Sequence, residues 1–196
     1  MATSSLEVPP GAVWRTEPLE QRLDDPPPLF AVLGAHPWAG ASTAAAMWAP
    51  AADTEQAWPA HPTSTPLTVV VAQDTVKGLR AAARVLREPD EGLAPPDAVV
   101  VGLLIRPTRP GRLRKDVAAF RDTVAELLDD RPVWTLPWLD ALSGQPPVLA
   151  SWAPGDVPAK RDGPLDTVVP RRVAEIGEQI CTRITTLRDQ HLAAVP

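Results

Sequence analysis

The chain contains 196 residues, of which 44% are hydrophobic and 22% are charged, so it is long enough to bury the core of one globular domain. Its net charge of −5 argues against a general affinity for nucleic acid or for anionic membranes. Cys181 is the only cysteine, which excludes an internal disulfide framework and a cysteine metal site.

The N-terminal 29 residues differ in composition from the rest of the chain. They hold the proline runs Pro9-Pro10 and Pro26-Pro27-Pro28 and few large aliphatic side chains, so they bury too little apolar surface to offset the entropy lost on ordering. We therefore predict a flexible, proline-rich leader over residues 1–29 and a single domain over residues 30–196. Val13-Trp14 is a candidate anchor onto that domain or onto a partner, and the first option is favoured.

The sequence shows neither a basic-then-apolar signal segment nor an apolar run of membrane-spanning length. We therefore expect a cytoplasmic protein that makes no membrane contact. The three histidines, at positions 36, 61 and 191, are scattered, and no cluster of His, Asp and Glu has metal-ligand spacing. No metal site is predicted.

Residues 30–49 have the layout of a phosphate-binding loop. Phe30–Leu33 is an apolar run that predicts a buried strand. A short loop bounded by Gly34 and Gly40 follows, and Ser42–Trp48 then reads as a short, alanine-rich helix. In a P-loop, G-x-x-x-x-G-K-[ST], backbone N–H groups of such a loop hold phosphates at the start of a helix.

Several residues of this loop depart from the P-loop pattern. When its last glycine is placed at Gly40, the lysine position holds Ala41, which supplies no cation. Pro37 fixes φ and removes an N–H donor, and Trp38 adds a large ring where a phosphate needs space. The layout predicts a nucleotide-binding frame, whereas these residues predict poor ATP binding. The simpler alternative is a Gly/Ala turn between a core strand and a core helix.

Further strands and helices follow in alternation. Thr68–Ala72 and Ala98–Ile105 are rich in β-branched and aliphatic residues throughout, as in strands buried on both faces. Apolar residues at helical spacing follow each strand, over residues 76–86 and 113–127. Residues 50–66 are expected to form an irregular loop.

The C-terminal part predicts one more strand and one more helix. Val133–Leu136 reads as a short strand, residues 137–170 as a proline-rich loop, and residues 171–193 as an amphipathic helix. The alternation predicts an α/β fold: a small, mostly parallel sheet of about four strands with helices on both faces, P-loop NTPase-like. Right-handed crossovers place the loops that follow the strands at one edge, where ligands bind in open sheets.

The loop sequence GAHPWAGAST, residues 34–43, resembles the deviant Walker A loop of the ParA/MinD-type (SIMIBI class) P-loop ATPases, KGGxGK[ST][ST]. The core from about residue 30 to 150 is more specifically similar to an actinobacterial family of ParA-like proteins of uncharacterised function. Three segments carry that similarity: residues 34–43, Gly78-Leu79-Arg80-Ala81-Ala82 and Trp134-Thr135-Leu136-Pro137-Trp138. The resemblance implies a P-loop fold, and several such proteins are associated with mobile elements.

The resemblance assigns a nucleotide-binding role to five loop residues: His36, Gly40, Ala41, Ser42 and Thr43. By position, His36 and Ala41 replace both lysines of the family pattern, including the one that reaches across a dimer to the partner's phosphates. Phosphoryl transfer depends on positioning and charge stabilisation, so we expect weak ATP hydrolysis or none. No catalytic residue and no cofactor are predicted, and ATP with magnesium is kept as an open alternative.

Asp74 is the one acid placed like the magnesium-anchoring residue of those ATPases, just after the strand in VVVAQD. Aspartate at this position also accepts free N–H groups at the start of a helix. An N-cap for the helix that begins near Thr75 is the favoured role.

A basic run follows the third predicted strand and consists of Arg106, Arg109, Arg112, Arg114 and Lys115. Its arginines are candidates to supply the positive charge that Ala41 lacks, or to contact nucleic acid phosphates. The favoured interpretation is a solvated loop that neighbouring acids partly balance.

Three tryptophans lie late in the chain, at Trp134, Trp138 and Trp152. Tryptophan is enriched at protein interfaces because it buries a large area and keeps a polar edge, so the three are candidates for a partner surface. The alternative is that their rings close the sheet edge against the proline-rich loop, and the two roles are compatible.

These observations favour a degenerate ParA/MinD-like protein that binds a protein partner without hydrolysing ATP, within a plasmid, conjugation or phage-type system. Two alternatives stay open: a weak ATP-binding switch or ATPase of the ParA type, and a nucleic-acid-binding module that uses residues 106–115. A homodimer is compatible with each of them.

Overall fold

The computed structural model describes residues 8–20, 26–143, 148–159, 161 and 163–194. Its elements in chain order are β1 (Trp14–Arg15), β2 (Phe30–Gly34), α1 (Ala41–Ala46), β3 (Ala51–Asp53), β4 (Trp58–Pro59), β5 (Leu67–Gln73), α2 (Val76–Arg87), β6 (Val99–Arg106), α3 (Lys115–Ala125), β7 (Val133–Thr135) and α4 (Arg171–Ala194). Short 3-10 turns cover Glu126–Leu128 and Asp140–Ser143. Strands and helices therefore alternate along the chain, as in an α/β fold.

A five-stranded sheet with the strand order β3-β2-β5-β6-β7 forms the centre of the fold, and all of its strand pairs are parallel. The predicted α/β class and parallel sheet are therefore confirmed. The chain crosses from β2 to β3 in one direction and from β5 to β6 in the other, so the direction reverses between β2 and β5. In open parallel sheets, ligands bind at the carboxyl edge beside such a reversal.

Helices cover both faces of this sheet. On one face, α1 and α4 pack against strand residues such as Phe30 and Val69, with Ile180 as a helix partner. On the other face, α2 and α3 pack against strand residues such as Leu33 and Val70. Side chains alternate between the two faces of a strand, and crossovers of one hand that run in opposite directions put their helices on opposite sides.

The central sheet has one strand more than the four expected, and a second, two-stranded sheet pairs β1 with β4. Both β3 and β4 lie in residues 50–66, so the prediction of an irregular loop there is wrong. The two segments are too short to show a periodic pattern. Ala51–Asp53 is a strand because it pairs with β2, and Trp58–Pro59 because it pairs with β1.

The predicted leader is anchored to the domain at Trp14. The indole Nε1 of Trp14 donates a 2.7 Å hydrogen bond to Leu93 O. The neighbouring Val13 O accepts a 2.9 Å hydrogen bond from Trp58 N. Val13-Trp14 therefore anchors the segment to its own domain, which was the favoured of the two options.

Leu19 extends this anchored segment over the edge of the central sheet. It is only 8% exposed and packs with Ala31 of β2 and Ala52 of β3. Ala31 alternates with Phe30, so it points to the face opposite α1. Within the segment predicted to be flexible, Leu19 therefore covers one face of β2 and β3.

The C-terminal helix α4 starts and ends within a residue of the predicted range 171–193. It packs on two tryptophans at Gly177, where an added methyl group would lie 2.7 Å from ring carbons of Trp152 and 2.8 Å from Cδ1 of Trp48. Trp48 Nε1 also donates a 3.0 Å hydrogen bond to Val173 O, near the start of the helix. In the described part of the chain, no helix is both long and apolar enough to span a bilayer.

Candidate functional site

A cleft with a volume of about 630 Å³ lies at the carboxyl edge of the sheet, beside the reversal between β2 and β5. Ligand sites in proteins commonly measure about 300–1,000 Å³, so the cleft has room for a small molecule or for a partner's side chains. The residues that line it include His36, Trp38, Ser42, Glu55, Arg106 and Leu142. The loop that follows β2 therefore lies at the site that strand topology alone would select.

Six of the residues predicted to bind nucleotide line this cleft: His36, Gly40, Ala41, Ser42, Thr43 and Arg106. Asp74, Arg109 and Arg112 are not among the lining residues. The structure therefore brings together the loop of β2 and the last residue of β6, and leaves the outer part of the basic run outside the cleft.

The guanidinium group of Arg106 lies across the loop and binds its carbonyl groups. Nε donates a 3.1 Å hydrogen bond to Ala39 O, and Nη2 donates a 3.2 Å hydrogen bond to Trp38 O. Gly40 makes room for this side chain, because a methyl group at Gly40 would lie 2.6 Å from Cδ of Arg106. Gly40 also has a φ of 99°, which favours glycine. The arginine thus holds a loop that turns two carbonyl oxygens toward a cation.

Both ring nitrogens of His36 are hydrogen-bonded within the loop framework. Nε2 accepts a 3.3 Å hydrogen bond from Gln73 N, and Nδ1 lies 2.7 Å from Pro37 O. Because Nε2 is an acceptor, the geometry assigns the ring hydrogen to Nδ1, which donates to Pro37 O. The ring also lies against α2 at Gly78, where an added methyl group would be 3.0 Å from Nε2. His36 therefore fixes the loop to the end of β5.

The helix that follows the loop begins with free backbone N–H groups. Gly40 is its N-cap residue and offers no side-chain cap. Ala44 N donates the first helical hydrogen bond, to Gly40 O, so the N–H groups of Ala41, Ser42 and Thr43 precede the hydrogen-bonded turn. Ser42 is exposed, whereas Ala41 is buried. Ala41, which the P-loop pattern would align with its lysine, is therefore a small core residue.

Glu55 and Gln56 also line the cleft, and neither was predicted from the sequence. Gly34 N donates a 2.7 Å hydrogen bond to Glu55 O, so the turn after β3 is tied to the end of β2. Glu55 has a φ of 59°, and its N–H donates a 2.8 Å hydrogen bond to Asp53 Oδ1. Aspartate commonly forms such a turn with the N–H two residues on, so Asp53 was the available signal. The Glu55 carboxylate adds negative charge to the cleft.

Asp74 does not cap α2, so that prediction is wrong. Thr75 is the N-cap, and its Oγ1 accepts a 3.0 Å hydrogen bond from Gly78 N. Asp74 Oδ1 instead accepts hydrogen bonds from Thr108 N (2.8 Å) and Thr108 Oγ1 (2.7 Å). The Asp74 carboxylate therefore fixes the base of the loop that follows β6. Both residue types cap helices well, and only the backbone direction decides between them.

The basic run after β6 separates into engaged and exposed cations. Arg106 binds the loop carbonyls, as described above. Arg114 forms a 2.8 Å ion pair with Asp116, and this hydrogen-bonded guanidinium holds the pKa of the Asp116 carboxyl below its ordinary value. Arg109 and Arg112 are exposed. The run is thus a solvated loop, as favoured, with one arginine built into the site.

Two of the three tryptophans proposed for a partner surface are core residues. Trp134 is 3% exposed and lies against Gly102, and Trp152 is 4% exposed. These two are therefore unavailable to a partner. Trp138 is half-buried and donates a hydrogen bond from Nε1 to Asp140 Oδ1.

Trp38, at the tip of the loop after β2, is the exposed tryptophan of the site. Its side chain is 88% exposed, and its φ of 66° is a left-handed conformation that a bulky residue seldom adopts. Strained residues of this kind cluster at functional sites. The sequence predicts this ring as an obstacle to phosphate, whereas in the structure it faces solvent.

The chemistry of the site is inferred from the residues that line the cleft. Within the described residues, no group of three or more His, Cys, Asp or Glu side chains is arranged to hold a metal ion. The chain presents a cleft framed by Arg106 and Glu55, with Trp38 on its rim. Comparison with protein-family models, with curated proteins and with solved structures finds no match.

Proposed function

We propose that this chain is a non-hydrolysing protein that binds a protein partner, built on a degenerate ParA/MinD-like P-loop frame and acting in the cytoplasm within a plasmid, conjugation or phage-type system. The observation that supports it most is the engagement of Arg106. This arginine is the one cation that lines the cleft, among the described residues, and it hydrogen-bonds the carbonyls of Trp38 and Ala39.

The charges of the cleft argue against phosphoryl transfer. That chemistry needs positive groups positioned around the transferred phosphoryl. Ala41 supplies no charge, and Glu55, which also lines the cleft, would repel a triphosphate. Pro37 cannot donate a backbone hydrogen bond to a ligand. A bound nucleotide would therefore meet less favourable charge here than in a P-loop with its lysine.

A partner-binding role is supported by the loop's rigidity and by its exposed ring. His36 and Arg106 tie the loop to the ends of β5 and β6. The exposed Trp38 therefore lies at the tip of a loop that is held in place by hydrogen bonds. Tryptophan is among the residues that most often dominate binding energy at interfaces, and a preorganised anchor loses little entropy on binding.

Calorimetric titration with ATP and magnesium tests this proposal. We expect no saturable heat at ATP concentrations that fill the sites of ordinary ATPases, because Arg106, the one cation that lines the cleft among the described residues, is held by loop carbonyls. Micromolar binding that is lost in both Ser42→Ala and Arg106→Ala, but kept in Arg87→Ala, would overturn the proposal. Arg87 is a matched control, since it is an exposed arginine at the far end of α2.

A weak ATP-binding switch is the second candidate, and two observations favour it. The cleft is large enough for a nucleotide, and the N–H groups of Ala41 to Thr43 begin a helix at its wall. The titration above decides between this candidate and the first. Nucleic-acid binding through residues 106–115 is the third candidate, and a gel shift that stays blank at low salt would remove it.

A further inference from the structure

The carboxyl edge of the sheet carries a concentration of positive charge in an acidic chain. Residues 98–115 contain no Asp or Glu and hold five cations: Arg106, Arg109, Arg112, Arg114 and Lys115. Arg106 and Arg114 are engaged as described. Arg109, Arg112 and Lys115 are exposed, and none of the ion pairs between described residues includes them. Three charges therefore face solvent on one short segment.

The base of this segment is fixed to β5. Thr108 N and Oγ1 both donate to Asp74 Oδ1, and Asp74 N donates a 3.0 Å hydrogen bond to Arg106 O. Arg109 directly follows this anchored residue. The backbone of Arg109 thus starts from a residue anchored at the end of β5.

Trp38 lies beside the same anchored base. Its carbonyl oxygen accepts a 3.0 Å hydrogen bond from Gln73 Nε2, and Gln73 directly precedes Asp74. The strands β2, β5 and β6 are neighbours, so the ends of β2 and β6 are two strand spacings apart, about 10 Å. An extended peptide of about three to four residues covers that distance.

We infer that Trp38, Arg109 and Arg112 form one docking surface for a short acidic segment of a partner protein that places an apolar side chain against the indole. This inference rests on the proposed partner-binding function and names the chemistry of the partner. Acidic side chains complement the two arginines, and an apolar side chain removes the exposed ring from water.

The distribution of charge favours a short acidic segment over nucleic acid. The whole chain has a net charge of −5, and Glu55 lies on the wall of the cleft that Trp38 borders. A long polyanion that crossed the docking surface would continue over this acidic surface. Charges are screened beyond about 8 Å at physiological salt, so a short segment responds mainly to the local arginines.

Fluorescence anisotropy with defined probes tests the inference. The probes are a labelled peptide of Glu-Asp-Leu repeats, the same peptide with Gln and Asn in place of the acids, and a labelled oligothymidylate of equal charge. We expect the acidic peptide to bind at low salt, to weaken as salt rises, and to bind at least about tenfold more tightly than either other probe.

Variants locate the binding on the protein. Trp38→Ala, and the double variant Arg109→Ala with Arg112→Ala, should each weaken the acidic peptide by about tenfold or more. Arg87→Ala removes an exposed arginine at the end of α2, outside the docking surface, and should leave the affinity for the acidic peptide unchanged. Circular dichroism of each variant confirms that it is folded, which the exposure of these side chains leads us to expect.

The inference is overturned if the acidic and the amide peptides bind equally, if oligothymidylate binds more tightly than the acidic peptide, or if the Trp38 and arginine variants bind like the parent. The ATP titration on the same preparation keeps the two proposals distinct. If the protein binds both ATP and the acidic peptide, the proposed function is contradicted and the docking surface is kept. If the protein binds neither ATP nor the acidic peptide, the docking surface is contradicted and the proposed function is kept.

Discussion

Single side chains on neighbouring strands decide the conformation of the loop after β2. His36 accepts a hydrogen bond from the backbone of Gln73, and Arg106 donates to the carbonyls of Trp38 and Ala39. A phosphate-binding loop directs N–H groups toward its ligand. Here two carbonyl oxygens face a guanidinium group instead, so the loop has a polar partner within its own chain.

The roles of Asp74 and Thr75 can be separated by amide hydrogen exchange. We predict that Thr75→Ala speeds exchange at Gly78 and lowers the free energy of unfolding by about 1 kcal/mol, because the α2 cap is lost. Asp74→Ala should instead speed exchange at Thr108 and leave Gly78 protected. Faster exchange at Gly78 in Asp74→Ala would show that Asp74 is the cap after all.

At the scale of secondary-structure elements, glycines set how closely the helices approach their neighbours. Gly78 of α2 leaves space for the backbone of Gln73 and for the ring of His36, and Gly177 of α4 leaves space for Trp152 and Trp48. In both helices a small residue receives an aromatic ring from a distant part of the chain. The helices were predictable from their periodicity, whereas these contacts were not, since each needs a partner far away in sequence.

Gly177→Ala tests the packing of α4. Alanine is the better helix former by about 1 kcal/mol, yet its methyl group would overlap the rings of Trp152 and Trp48. We predict a net loss of about 1–3 kcal/mol in the free energy of unfolding, measured with urea. Glu178→Ala, at the next and exposed position, should change stability by less than about 0.5 kcal/mol. A stabilised Gly177→Ala variant would contradict this packing.

On the scale of the whole molecule, two residues of the N-terminal segment, Trp14 and Leu19, pack against the folded domain. The β2 and β3 edge of the sheet is covered by Leu19 on the face opposite α1. The composition of the segment predicted flexibility because it holds few apolar residues. Two of those few, Trp14 and Leu19, contact the domain, and composition alone does not identify which contacts a rare apolar residue makes.

Leu19→Ala measures the contribution of this segment to stability. Leu19 is almost fully buried, so we predict a loss of about 2–3 kcal/mol in the free energy of unfolding by urea. The matched control is Val8→Ala, which removes a side chain that is 41% exposed and should cost less than about 0.5 kcal/mol. Equal stability of the Leu19→Ala variant and the parent would instead support the prediction of a flexible leader.

The sequence by itself determined the parallel α/β architecture, the helix positions and the placement of the loop after β2, because apolar periodicity and continuously apolar strands are properties of contiguous residues. Tertiary structure alone decided that Ala51–Asp53 is a strand, that Arg106 binds the loop carbonyls, and that Trp152 is buried while Trp38 is exposed. Each of these depends on a partner that lies many residues away. The free energy of a residue in a pairing or a packed contact is set by that partner, which its own sequence neighbourhood does not contain.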